Sequence, residues 1–153
     1  MTDTTLQKGA IETIRAVNSA TAKIPEDWIL AKDPEHNDYG YCDGTIDRGP
    51  NGSAYWSYGY AIDLEHVVPN EELLNLMTPG SKEWKLTSTE PNEQGGTATD
   101  YYFSDGRTRL HIMLNGENTS RPRVGVGAIS TCIRNGDTGP NTFPTPNPAD
   151  FAG

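Results

Sequence analysis

Hydrophobic residues recur at intervals of three and four positions near the start of the chain. They are Leu6, Ala10, Ile14 and Val17. Apolar side chains at this spacing line one face of an α-helix, so the pattern predicts an amphipathic helix of about four turns over residues 4–22. We expect the helix to end before Pro25, because proline disfavours helical backbone at the residue that precedes it.

The pattern changes to strict alternation over residues 53–64, which predicts a β-strand. One predicted face carries Trp56, Tyr58, Tyr60 and Ile62, and the other carries Tyr55, Ser57, Gly59 and Ala61. Aromatic residues on both faces of a strand allow two interpretations. In the first, Tyr55, Trp56, Tyr58 and Tyr60 form a binding surface for a sugar or a partner protein. In the second, which we favour from the sequence, one face packs on the core and the preceding segment covers the other.

The second half of the chain predicts a short helix and several strands. Acidic residues follow Pro69, where the helix dipole favours them, and the helix is expected to end near Met77. Strand patterns follow at residues 83–89, 99–104, 107–114 and 123–133. Asp105 and Gly106 form a dipeptide favoured in tight hairpin turns. In the first of these strands, Trp84 and Leu86 are expected to point inward.

Two polar stretches show neither the helical spacing nor the alternation of a strand. Residues 25–53 predict a long loop, which is unusual in a compact domain unless something holds it in place. Residues 135–153 contain four prolines and few apolar residues, and they predict a mobile tail. The chain is therefore expected to be one α+β domain over residues 1–134, followed by a Pro-rich flexible tail over 135–153. In this fold the two helices pack on one face of an antiparallel sheet of about four to six strands.

The chain has two cysteines, Cys42 and Cys132. They are too far apart in sequence for a CxxC metal or redox site, which leaves a long-range disulfide or two buried reduced thiols. Cys132 is expected to face the core at the end of the last strand. A disulfide would tie the predicted loop to that strand and would favour an extracytoplasmic location, because disulfides persist mainly in oxidising compartments. Reduced thiols would favour the cytoplasm.

Composition and charge exclude several classes of function. The formal net charge is −9 and the pI is near 4.7, so the chain is expected to repel nucleic acid and anionic membranes and to suit a basic partner. No apolar run is long enough for a transmembrane segment. The start of the chain, residues 1–6, is largely polar and lacks the basic and apolar regions of a signal peptide. That start indicates either a cytoplasmic protein or one from which an export signal has been removed.

The order of helix, proline, tryptophan and cysteines resembles a known layout. The helix is followed by Ile24-Pro25-Glu26-Asp27-Trp28, and the cysteines lie in Tyr41-Cys42 and at the end of residues 124–132, beyond the hairpin at residues 104–106. Over most of residues 5–133 this layout is similar to that of the small cell-envelope lipoproteins of actinobacteria. The resemblance implies an α+β fold, an envelope location and a lipid anchor on the native N-terminus, although the lipobox itself is absent from this sequence. It implies no particular activity.

Candidate catalytic and metal-binding residues are few. Glu65 and His66 follow the aromatic strand and form the best acid/base pair in the chain, although a histidine at the end of a strand is more often a surface residue. The other histidines, His36 and His111, do not match a metal-ligand spacing. The acidic stretch Asp33, Glu35, Asn37, Asp38 and Asp43 has the composition of a calcium site but not the positions of an EF-hand loop, which leaves a weak, irregular calcium site as the alternative. The motifs of a nucleophile elbow and of phosphate-binding loops are absent, so no cofactor and no metal are expected.

These observations favour a non-enzymatic extracytoplasmic binding or interaction domain, located in the cell envelope or secreted and stabilised by one long-range disulfide. Its partner would be a protein or an envelope ligand of unknown identity. One alternative is an acidic inhibitor or immunity protein that neutralises a basic partner protein. A second alternative is a hydrolase that uses Glu65 and His66.

Overall fold

The computed structural model describes residues 5–42, 52–93, 95–134 and 143–151. Two α-helices, α1 (Leu6–Thr21) and α2 (Asn70–Met77), accompany seven β-strands. The strands are β1 (Ile29–Tyr41), β2 (Ser53–Leu64), β3 (Lys85–Pro91), β4 (Thr99–Ser104), β5 (Thr108–Asn115), β6 (Arg123–Ser130) and β7 (Ile133–Arg134). Short 3₁₀ turns cover Glu26–Trp28 and Pro148–Asp150.

The strands form one antiparallel sheet in the order β1-β2-β6-β5-β4-β3, and β7 pairs with β2. Helix α1 packs against β2, β6 and β5, and α2 contacts α1 and β5. The expected α+β fold is therefore confirmed, with a sheet slightly larger than expected. Below, the face of the sheet that carries α1 is called the inner face and the opposite one the outer face.

The apolar stripe of α1 is buried as its spacing predicts. Ala10, Ile14 and Val17 are fully buried, and the side chain of Thr5 caps the helix by accepting a hydrogen bond from the backbone N–H of Lys8 at 3.1 Å. Opposite the stripe, the inner face of β2 carries Trp56, Tyr58, Tyr60 and Ile62, all of them buried. The aromatic residues of this face therefore belong to the core.

The prediction of a loop over residues 25–53 is wrong over residues 29–41. Strand β1 occupies Ile29–Tyr41 and pairs with β2 from Ile29 opposite Leu64 to Tyr41 opposite Ala54. It lies at the edge of the sheet, and its residues 30–36 are exposed, so no alternation of polar and apolar residues is needed there. Pro34 is tolerated because an edge strand leaves one row of backbone groups unpaired. Residues 43–51, including Asp43, lie outside the described residues.

Two of the inward orientations expected from the strand patterns, those of Leu86 and Cys132, are also wrong. Trp84 lies just before β3, is partly buried and packs against the core as expected. Leu86 is 54% exposed because β3 is the other edge strand of the sheet. Cys132 is exposed, since the chain leaves β6 at Ser130 and the backbone N–H of Thr131 donates to the carbonyl of Arg107. Ile133, the next residue along the chain, is buried at that end of the sheet instead.

Residues 143–151 belong to the predicted tail, yet they lie against the domain. The Phe143 ring packs on Trp56 at 5.6 Å between centroids. The amide group of Asn18 donates to the carbonyl oxygens of Pro148 and Phe151, and that of Asn37 donates to the carbonyl of Pro146. This part of the tail thus makes contacts that its composition does not indicate. Residues 135–142 and 152–153 lie outside the described residues.

Candidate ligand cleft

A cleft of about 680 Å³ opens on the inner face of the sheet beside α1. Its sides are the C-terminal end of α1, strand β1 and residues Pro148 and Ala149, and its floor is the inner face of β2. We call it the α1–β1 cleft. It exists because α1 covers β2, β6 and β5 but does not extend over the edge strand β1, so the sheet continues beyond the helix.

Two tyrosines form the floor of the α1–β1 cleft. The rings of Tyr58 and Tyr60 meet edge to face at 5.9 Å, and the Tyr60 hydroxyl is 2.6 Å from the hydroxyl of Thr21 on α1. Burial, and secondly the neighbouring Tyr60, raises the pKa of Tyr58 to about 12, and burial also raises the pKa of Tyr60. Both hydroxyls are therefore uncharged at neutral pH, and the floor offers aromatic carbon with neutral hydrogen-bonding groups.

The sides of the cleft combine apolar groups with a few charges. Ile24, Ile29 and Pro34 contribute apolar surface, and the ammonium group of Lys32 lies 5.6 Å from the centre of the Tyr60 ring. Glu26 and Glu35 also line the cleft, both exposed. A largely apolar cleft with a small number of polar groups is typical of sites for small molecules.

The aromatic residues proposed as binding residues separate into different environments. Tyr58 and Tyr60 line the cleft, whereas Trp56 lies beneath Phe143 and donates from its Nε1 to the Asn37 side-chain oxygen at 2.8 Å. Tyr55 is on the outer face, where a Cβ added to Gly40 would lie 2.5 Å from its ring. The cleft is also lined by residues outside β2, above all Thr21 and Lys32, which the alternation of apolar and polar residues in that strand could not indicate.

Glu65 and His66 lie just after β2, and both are exposed. The His66 ring contacts Trp28 edge to face at 5.5 Å, and the Glu65 backbone N–H donates to the carbonyl of Trp28. Neither residue lines the α1–β1 cleft or either of two smaller clefts formed by the described residues. The hydrolase alternative requires Glu65 and His66 to converge in a pocket, and neither side chain lies in one of these clefts.

Four residues of the acidic stretch, Asp33, Glu35, Asn37 and Asp38, lie on β1, whereas Asp43 is outside the described residues. Asp33 accepts a hydrogen bond from Arg123 at 3.0 Å, and Asp63 on β2 accepts one from Arg121 at 3.0 Å. That hydrogen bond is the main reason why the pKa of Asp63 is lowered. Among the described residues, no three acidic, histidine or cysteine side chains are grouped so that they could hold a metal ion.

The two cysteines form a disulfide. Cys42 follows β1, Cys132 follows β6, and their Cα atoms are 6.1 Å apart. The bond therefore joins the end of the edge strand to the centre of the sheet, beside the pairing of β7 with β2. Strand β1 forms the side of the α1–β1 cleft opposite α1. The disulfide therefore holds the C-terminal end of β1, and with it one end of that side of the cleft.

Together these features define an α+β fold that is closed by one long-range disulfide and carries a lateral cleft with a floor of tyrosine side chains. In comparisons with known proteins, no family model, curated protein or solved structure matched this chain. Within residues 5–42, 52–93, 95–134 and 143–151, no helix is long and apolar enough to cross a membrane.

Proposed function

We propose that the chain is a non-enzymatic extracytoplasmic binding domain whose ligand occupies the α1–β1 cleft. The observation that carries the proposal is the cleft itself, with its uncharged tyrosine floor and apolar sides. A cavity of 680 Å³ lies within the range of sites that hold drug-sized molecules. The ligand would be an apolar or amphipathic small molecule of the envelope or its surroundings.

The extracytoplasmic part of the proposal is supported by the disulfide. Disulfides are rare in cytosolic proteins, where thiols are kept reduced, and both cysteines of this chain are bonded. The layout similar to that of actinobacterial envelope lipoproteins supports the same location, and a lipid anchor on the native N-terminus belongs to the same proposal. In such a protein the domain would present its cleft to ligands outside the cytoplasm.

No observation favours the acidic-inhibitor alternative to the same degree. Such an inhibitor needs a face of free carboxylates to attract a basic partner. On β1 and β2, Asp33 and Asp63 are instead paired with Arg121 and Arg123. The alternative would regain support if the cleft proved unable to bind small molecules.

The cleft can be tested with Nile red, a neutral dye that fluoresces in apolar surroundings. Ala22 is exposed at the end of α1 and lines the cleft, so a tryptophan at this position would fill part of the binding space. We expect the wild-type protein to bind Nile red and the Ala22→Trp variant to bind it about tenfold or more weakly, which corresponds to a loss of roughly 1.4 kcal/mol. The measurement is a fluorescence titration at fixed dye concentration.

Ala31→Trp is the matched control. Ala31 is also exposed, but it lies opposite Asp63 on the outer face and does not line the cleft. The control should bind the dye like the wild type. Equal binding by all three proteins, or no binding by the wild type, would contradict the proposal.

A further inference from the structure

A row of residues crosses the outer face of the sheet, on the side opposite the α1–β1 cleft. The strand registers place them in the order His36, Gly59, Gly127, His111 and Tyr102, on β1, β2, β6, β5 and β4. Paired residues in neighbouring strands share a face and lie about 5 Å apart. Two histidines are thus separated by two positions that have no side chain.

The space between the histidines is open above Gly127. A Cβ added to Gly59 would lie 3.0 Å from the His36 ring, so His36 already covers that glycine. A Cβ added to Gly127 would meet nothing closer than the Tyr58 carbonyl oxygen at 3.6 Å. The gap belongs to a second cavity, of about 370 Å³. We call it the histidine slot.

His111 is held in place on the β5 side of the slot. Its Nε2 is 2.8 Å from an Asp100 carboxylate oxygen, and Asp100 is 9% exposed and accepts hydrogen bonds from the amide group of Asn92. The Tyr102 ring stacks on the His111 ring at 4.5 Å with an angle of 8° between the planes. Tyr102 lies on the β4 side of His111, so the other ring face of His111 is turned toward Gly127.

The neighbouring row adds polar groups to the slot. Ser57, Ile129 and Arg109 lie side by side in register, and all three line the cavity. The Arg109 guanidinium has no hydrogen bond or ion pair with any described residue, although the chain carries a net charge of −9. Asp38 lies opposite Ser57 at the β1 end of this row and disfavours a second anionic group there.

We propose that the histidine slot binds a planar aromatic acid with one carboxylate. Its ring would stack on the free face of His111 above the Gly127 backbone, with His36 on the other side. His36 covers Gly59 on β2 and His111 stands on β5, two strand spacings or about 9–10 Å away, so the gap above Gly127 admits one stacked ring between them. Its carboxylate would pair with Arg109 through two parallel hydrogen bonds. This site is independent of the proposed function of the α1–β1 cleft.

Benzoate is the probe for a test by nuclear magnetic resonance. The chain has three histidines, so each imidazole signal can be followed separately. His36 lines both the slot and the α1–β1 cleft, whereas His111 lines the slot but not that cleft, so the His111 signal is the diagnostic one. Addition of benzoate should shift the ring signals of His111 together with those of His36 and leave those of His66 unchanged. Benzyl alcohol, which lacks the charge, and cyclohexanecarboxylate, which lacks the aromatic ring, should each bind about fivefold or more weakly than benzoate. Equal binding of all three, or equal shifts at His66, would overturn the proposal.

Two variants in the slot, with a third as control, test whether benzoate binds there and not elsewhere on the surface. Gly127→Leu fills the gap at a position where an added Cβ makes ordinary contacts, and it should abolish the benzoate shifts. Arg109→Gln removes the cation and should weaken benzoate binding about fivefold while leaving benzyl alcohol binding unchanged. Ala22→Trp, which fills the α1–β1 cleft, should bind benzoate like the wild type. Unchanged benzoate binding by Gly127→Leu would contradict the slot even if Nile red binding behaves as expected.

Discussion

Replacing both cysteines by serine is expected to lower the free energy of unfolding by about 4–5 kcal/mol, as an upper figure. The bond between Cys42 and Cys132 closes a loop with a sequence separation of 90 residues, and its removal restores conformational freedom to the unfolded chain. For a chain of this size the midpoint of thermal unfolding should fall by roughly 10 °C. Urea denaturation of the wild type and of the Cys42→Ser/Cys132→Ser variant measures the difference.

The wild type unfolded in the presence of a reductant is the control for the disulfide. It should reproduce the stability of the serine variant, because both lack the same covalent link. Cys132 is exposed, so a reductant can reach the bond in the folded protein. A loss below about 1 kcal/mol in both measurements would show that the bond contributes little to the stability of the fold.

Trp56→Ala is expected to cost about 3–5 kcal/mol. The Trp56 side chain is 2% exposed, packs on Phe143 and donates its Nε1 to the side-chain oxygen of Asn37. Alanine would leave a cavity beneath Phe143 and would remove the hydrogen-bond donor to the partly buried side-chain oxygen of Asn37. The free energy of unfolding measured by urea denaturation should fall accordingly.

Two tryptophan variants control for this prediction. Trp56→Phe keeps most of the buried ring and should cost less than the alanine variant. Trp84→Ala removes a tryptophan that is only partly buried, and it should also cost less. A Trp56→Ala variant no less stable than Trp84→Ala would mean that Trp56 does not hold the C-terminal residues against the sheet.

The elements with a buried face could be predicted from the sequence. Helix α1 and strand β2 show clear periodicity because one side of each packs on the core and the other does not. Strand β1 could not be found in this way. Its central residues are exposed, and it is held by backbone hydrogen bonds to β2, which leave no pattern of side chains.

Contacts in which side chains donate to backbone carbonyl groups could not be predicted from the sequence either. Asn18 and Asn37 hold residues 143–151 by donating to main-chain oxygens, and such acceptors are present in any segment. For the same reason the low apolar content of residues 135–153 does not indicate where part of that segment docks. Phe143 and Phe151 are its only aromatic residues, and both pack against the core.

The candidate cleft was predicted only in part. Tyr58 and Tyr60 stand out in the sequence because they lie in an aromatic strand, although their burial could not be decided without knowing what covers them. The rest of the cleft comes from segments far apart in the chain, with Thr21 on α1, Lys32 on β1 and Pro148 near the C-terminus. Their convergence follows from the position of the edge strand β1, which the sequence did not predict.

The extracytoplasmic location is tested most directly by trapping thiols in the cells that make the protein. Cells are lysed in acid to stop thiol exchange, the denatured protein is alkylated without prior reduction, and its mass is measured beside a reduced and alkylated sample. The proposed function predicts no adduct before reduction and two adducts after it, since both cysteines are bonded. Two adducts before reduction would contradict it and would place the folded protein in a reducing compartment.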